Sequence, residues 1–291
     1  SGLESRLAEK PVPTDLLAQA LGVEIERGPP SSRREDGGAL LWERTAAEGA
    51  KPLAVYRVKD GYVARARGTH DLRIRADGAA LTLGSAVGVD PEVDDEVLRQ
   101  VLPLVGQLRG IPVLHGAAFS IEGRAVALLG PSGSGKSTLV AAACRRGATL
   151  VADDCLVLAV ASDGLAILPT SRRIRLRGAG EAHLGLSGGS ATPDGKTAFE
   201  AEGAVAPVPL VAALHLVLGD VPAIVPLRPR DAMMELTKNL FRLDPRDPAL
   251  LARELEMVPA VAARLPVATL SFPLGLAVLD ETLALIEREL L

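Results

Sequence analysis

Short runs of alternating apolar and polar positions fill the first third of the chain and predict strands. Leu53-Ala-Val-Tyr-Arg-Val58 and Tyr62-Val-Ala-Arg-Ala66 flank Lys59-Asp-Gly61, whose Asp-Gly pair predicts a hairpin turn. Leu72-Arg-Ile-Arg75 alternates apolar with basic side chains, and Ala76-Asp-Gly78 turns it into Ala79-Ala-Leu-Thr-Leu83. Together these runs predict a small antiparallel sheet, with His70 in a turn and solvated. Ahead of it, Pro13–Leu21 reads as a short helix capped by Thr14 or Asp15 and closed by Gly22, followed by a loop over 28–38. After the sheet the period lengthens. Asp90–Leu108 opens with a cap residue, a proline and acids, and sets Val93, Val97, Val101, Leu104, Val105 and Leu108 on one helical face. Pro103 is expected to kink that helix.

Beyond it the apolar runs become nearly continuous, as in strands buried on both faces. Pro112–Ser120 reads as a strand that Ile121-Glu-Gly-Arg124 returns into Ala125–Leu129. Ser137–Arg146 reads as a helix ended by Gly147, and Ala148–Val160 as one apolar strand interrupted only by Asp153 and Asp154. Leu210–Leu218 and Ala223–Leu227 read as core strands around a Gly219-Asp220 turn. The long apolar stretch 204–227 carries His215, Asp220 and four prolines, which argues against a membrane span. Helices over Asp231–Phe241 and Asp247–Leu265, a strand over Val267–Phe272 and a helix over Ala277–Leu290 complete the chain. The pattern predicts an α/β region over 109–291, preceded by a small α+β region over 1–108.

One stretch carries chemistry that pattern alone does not. Gly130-Pro-Ser-Gly-Ser-Gly-Lys-Ser-Thr138 fits G-x-x-x-x-G-K-[ST], the phosphate-binding loop of P-loop NTPases, with a strand before it and a helix after it. Its glycines let backbone N–H groups turn towards one centre. The helix N-terminus adds partial positive charge, Lys136 a full one, and Ser137 a hydroxyl for Mg²⁺. Gly130, Pro131, Ser132, Gly133, Ser134, Gly135, Lys136, Ser137 and Thr138 are therefore the expected contacts of ATP; the plain alternative is a glycine-rich turn. Asp153 and Asp154 are costly inside an apolar strand unless a cation or hydrogen bonds hold them. A Walker B role accounts for that cost, with an acid facing Mg²⁺ beside Ser137; alternatively the strand ends there and both acids meet water. Leu186–Pro209, rich in Gly, Ser and Pro, reads as a loop over the site, and Lys196 within it as solvated or reaching a phosphate.

Composition narrows the classes. Of 291 residues only 2% are aromatic, so the core must be aliphatic, and a net charge of −4 with no basic block argues against nucleic acid and anionic membranes as partners. Cys144 and Cys155 lack metal spacing and fit reduced thiols in a cytoplasmic protein, and no signal-peptide pattern is visible.

Three segments in combination carry a family likeness. Leu114-His-Gly-Ala-Ala118, the glycine loop, and Arg146-Gly-Ala-Thr-Leu-Val-Ala-Asp-Asp154 resemble the catalytic domain of HPr kinase/phosphorylase. The likeness is closer still to the shorter HPr-kinase-related proteins, some of which are serine kinases acting on precursor peptides of ribosomal natural products. His115 lies 21 residues before Lys136, and the two aspartates 17 and 18 after it. The likeness covers about residues 105–180. It implies a fold shared with phosphoenolpyruvate carboxykinase and an ATP-dependent transfer to a serine hydroxyl of a peptide or small protein. It also implies Asp153 as general base, His115 tuning its protonation, and Lys136 stabilising the moving phosphoryl group. HPr kinases assemble as hexamers, so a homo-oligomer is compatible with the likeness.

The chain departs from the family where a Glu-Ile-Arg-Gly signature supplies a magnesium-binding glutamate: here it reads Arg175-Leu-Arg-Gly178. Either Ser137, Asp154 and water hold the metal, or Glu181 substitutes, or the acceptor differs. Two rival functions stay open, transfer to a small-molecule hydroxyl and nucleotide sensing without turnover. Leu186-Ser-Gly-Gly189 and Val278-Leu-Asp-Glu281 resemble the ABC-transporter signature and Walker B, but Asp280 lies 93 residues after Ser187, a spacing that does not fit that reading.

Overall fold

The computed structural model describes residues 13–28, 38–44, 52–66, 68–86, 91–161, 164–192, 194–273, 275 and 277–291. Helix α1 (Pro13–Leu21) stops at Gly22, whose φ of 62° suits a residue without a side chain. Six strands follow: β1 (Glu24–Arg27), β2 (Ala39–Arg44), β3 (Leu53–Val58), β4 (Gly61–Ala66), β5 (His70–Arg75) and β6 (Ala80–Ser85). They form one sheet in the order β1-β6-β5-β4-β3-β2, antiparallel except for the β1–β6 pair. Leu72, Ile74, Leu81 and Leu83 join Val97, Val101 and Val105 of helix α2 (Pro91–Arg109) in one buried cluster. Each such side chain contributes about 1.5–3 kcal/mol when fully buried.

His70 departs from expectation. It opens β5 and is 1% exposed, with Nε2 3.0 Å from Asp94 Oδ1 and Nδ1 2.9 Å from Thr69 Oγ1. A buried ring needs partners for both nitrogens, and α2 supplies one of them.

The second part contains β7 (Val113–Leu114), β8 (Gly116–Ile121), β9 (Arg124–Leu129), α3 (Lys136–Arg145), β10 (Thr149–Ala152), β11 (Leu156–Ala161) and β12 (Gly164–Leu168). Next come β13 (Arg173–Leu176), α4 (Gly178–Leu184), β14 (Ser190–Ala191) and β15 (Thr197–Glu200), then β16 (Val208–Leu218), β17 (Ala223–Pro226), α5 (Pro229–Asn239), α6 (Pro248–Ala262), β18 (Val267–Phe272) and α7 (Leu279–Leu290). A mixed nine-stranded sheet follows the path β10-β8-β9-β16-β12-β11-β7, with β18 also on β16 and β17 on β18. Strand β16 runs parallel to β9 and β18 and antiparallel to β12. Period-two alternation in β9 divides its side chains between two cores. Val126 and Leu128 pack with α3 and α7, while Ala125, Ala127 and Leu129 pack with α5 and α6. The architecture is α/β with mixed sheets, and this sheet is covered on both faces.

Four expected features are built differently. The run 112–120 is two strands separated by His115, and 148–160 is two strands separated by 153–155. The stretch 186–209 is not a featureless loop, because β14 and β15 join β13 in a three-stranded sheet. β16 and β17 do not pair, since β18 lies between them, and Val225 on β17 is exposed. The boundary drawn at 108/109 falls in the last turn of α2. One cluster holds side chains from both sides of it, including Val113, Cys155, Val157, Leu243 and Leu250. Among the described residues no helix is long and apolar enough to cross a membrane.

Candidate active site

Two runs of chain stay side by side through a shared corner. β8 pairs with β10 and β7 with β11, and both runs break at the same level. His115 occupies one break and Asp153–Cys155 the other. Asp154 turns its corner with φ 68°, a left-handed conformation that aspartate tolerates better than most residues. His115 Nδ1 lies 3.2 Å from the Asp154 carbonyl oxygen, so this nitrogen donates. The ring also meets Phe241 edge-on, at 6.0 Å between centroids. Burial lowers the His115 pKa and the charge of Lys136 lowers it further, which keeps the imidazole neutral.

Between β9 and α3 the chain turns through Gly130, Gly133 and Gly135, at φ 137°, 84° and 94°. A Cβ on Gly130 would also stand 3.1 Å from Ser134 Oγ. Lys136 is 6% exposed and folds back on the loop, its Nζ donating to Gly130 O at 2.7 Å and Pro131 O at 2.9 Å. Burial lowers its pKa. The first-turn amides of α3 have no acceptor within the helix, so this end is partly positive.

The two acids have distinct surroundings. Asp153 is 4% exposed and accepts Ser137 Oγ–H at 2.8 Å and the Arg175 N–H at 2.9 Å. Burial, reinforced by the charge of Asp154, pushes its pKa up to about 7, while the Ser137 hydrogen bond opposes the shift. Asp154 accepts a short hydrogen bond from Arg175 Nη2 and lies 3.5 Å from Lys196 Nζ. Lys196 is therefore partly buried in an ion pair. Ser137's hydroxyl is thus directed at Asp153, not at its expected metal partner Asp154.

One cavity of about 580 Å³ gathers these groups. Its lining includes Ser132, Gly133, Gly135, Lys136, Ser137 and Thr138 of the loop, together with His115, Asp153 and Asp154. Gly130 and Pro131 contribute through their carbonyls to Lys136, and Ser134 through a backbone turn onto Pro131 O at 3.2 Å. Glu181, on α4, does not line the cavity. Asp280, in the Walker B-like segment, is exposed on α7 and pairs with Arg146.

Sequence reading missed Glu96 and Arg99 of α2 and Asp194 of the β14–β15 turn, which also line the cavity. Glu96 and Gln100 sit beside the apolar stripe of α2 and hydrogen bond at 3.1 Å, a weak signal of a partly buried polar pair. A second cavity of about 910 Å³ shares Glu96, Arg99 and Arg175 with the first.

Among the described residues no three His, Cys, Asp or Glu side chains are grouped to hold a metal ion. The oxygens of Ser137 and of one aspartate are hard donors of the kind Mg²⁺ prefers.

No protein-family model and no curated protein matches the chain. Among solved structures it is similar to the Hpr(Ser) kinase/phosphatase from Coxiella burnetii, at 17% identity and a TM-score of 0.33. That similarity spans 60% of this chain and 90% of the other. At that score the likeness has no bearing on chemistry.

Proposed function

We propose that this chain transfers the terminal phosphoryl group of ATP to a hydroxyl, the acceptor being a serine of a peptide or small protein. One observation carries the reading. Asp153 is held beside the head of α3, already accepting a hydrogen bond from a serine-type hydroxyl at 2.8 Å, in the cavity that contains Lys136. An acceptor hydroxyl that takes over this bond has a carboxylate placed to receive its proton, with a pKa near 7 suited to a general base at neutral pH.

The triphosphate would lie along residues 130–138, its charge met by loop amides and by Lys136 once the ammonium leaves the loop carbonyls. Mg²⁺, brought with the nucleotide, would be held by Ser137 and Asp154 and would offset charge on the phosphates. His115 touches the main chain of Asp154, so in this reading it positions the acid corner rather than exchanging protons with Asp153. The 910 Å³ cavity gives the residues flanking the acceptor serine a place to lie.

A second reading, nucleotide binding without turnover, has one observation in its favour: Asp154 is already engaged by Arg175 and Lys196. Asp153→Asn separates the two. Wild type with ATP and serine-containing peptides should yield a phosphorylated product by mass spectrometry. The variant should lose about a hundredfold or more in rate while its ATP affinity, measured by calorimetry, changes little. Turnover undiminished by the substitution would remove Asp153 from the chemistry.

A further inference from the structure

We propose that Arg175 is a phosphate-binding residue. When a nucleoside triphosphate enters, its guanidinium exchanges the Asp154 carboxylate for an oxygen of the terminal phosphate. The inference rests on the triphosphate reading above and adds the group that meets the far end of that ligand.

Arg175 stands where the two cavities meet and is 9% exposed. Its main-chain N–H holds Asp153 and its guanidinium holds Asp154, so one residue braces both acids. The same guanidinium reaches carboxylates from two more elements, Glu96 of α2 at 2.9 Å and Asp194 at 3.3 Å. Its Nε is buried without a partner, so a donor remains unused. Arg173, two residues earlier on β13, pairs with Glu200 at 2.6 Å and is not among the residues lining the catalytic cavity.

The exchange strands no charge. Asp154 Oδ2 also lies 3.5 Å from Lys196 Nζ and 3.9 Å from Arg99 Nη2. Glu96 lies 3.7 Å from Arg99, and Asp194 3.9 Å from Lys196. Each carboxylate that Arg175 contacts therefore keeps a second cation when the guanidinium turns. That decides the matter, because a buried carboxylate stripped of its only partner is heavily penalised. The three acids and three bases balance, so the network attracts no anion by itself. The head of α3 and Lys136 would draw the phosphates in, and Arg175 would close on them. A planar guanidinium offers two parallel N–H bonds to phosphate oxygens, which an ammonium cannot.

The test compares Mg²⁺-bound ADP with a non-cleavable ATP analogue, by calorimetry on wild type, Arg175→Gln and Arg175→Lys, with thermal melting to check folding. Arg175→Gln should weaken the ATP analogue about 10- to 100-fold while ADP changes less than about threefold, as loss of a charge-assisted contact to the last phosphate requires. Arg175→Lys should recover part of the loss. If Arg175→Gln does not fold, the lysine variant decides, because it keeps the charge among the carboxylates and lacks the fork. Equal losses for both nucleotides, or no loss for the ATP analogue, overturn the role of Arg175 and leave the kinase reading standing. Wild-type protein that binds neither nucleotide overturns both.

Discussion

Asp153 is the residue on which local physics and proposed chemistry converge. Its carboxyl is pushed from an ordinary 3.8 to about 7, chiefly by burial, although two donors point at it. Between about pH 4 and 7 the folded protein then holds a proton that the unfolded chain has released. Stability falls as pH rises through that window and levels off above it. Asparagine can accept the Arg175 N–H through its carbonyl and donate to Ser137, and it never ionises. Asp153→Asn should therefore match wild type near pH 4 and exceed it by about 4 kcal/mol at pH 8, read from denaturant curves across the range. Parallel pH profiles would show that Asp153 ionises normally despite its burial.

At the scale of elements, the site is made by a corner that two paired strand runs turn together. Period and turn chemistry reveal most elements in the sequence, including the β3–β4 hairpin around Lys59-Asp-Gly61, the α2 stripe and the strand–loop–helix of β9 and α3. The corner itself is hidden. Apolar residues continue on both sides of Asp153-Asp154, and the left-handed turn falls on Asp154 instead of a telltale glycine. β15 is hidden for another reason: Thr197–Glu200 is short and set among turn residues, and its partner β13 lies on the far side of α4. Gly116, just after His115, shows what the corner demands. A Cβ there would stand 2.6 Å from the Leu128 carbonyl of β9 and 2.6 Å from Leu156 Cδ1 of β11. Gly116→Val should destabilise the fold by ~2 kcal/mol or more through overpacking, measured as a lowered unfolding midpoint. An unchanged midpoint would mean that the β8–β9 spacing is not tight.

Over the whole molecule, the first sheet is joined to the region after α2 by hydrogen bonds to the connection between α5 and α6. Trp42 Nε1 donates to Leu243 O at 2.8 Å, and Arg57 grips fully buried Asp244 and also reaches Asp247. Around the cavity, Glu96 and Arg99 of α2 enter the Arg175 network. The residues between α5 and α6 anchor the bonds from Trp42 and Arg57. Their role comes from contacts about 190 residues away, which no local pattern displays. The loop, the acids and His115 are legible because spacing along the chain fixes them. The pairing of Arg99, Arg175 and Lys196 with Asp154 is not, because the fold alone brings α2, β13 and the β14–β15 turn together. The most direct measurement is a crystal structure with Mg²⁺ and a non-cleavable ATP analogue. The account predicts the phosphates wrapped by residues 130–138, with the terminal phosphate about 3 Å from Lys136 Nζ and the Asp153 carboxylate on its open side. A nucleotide bound elsewhere, or Asp153 turned away from that phosphate, would contradict it.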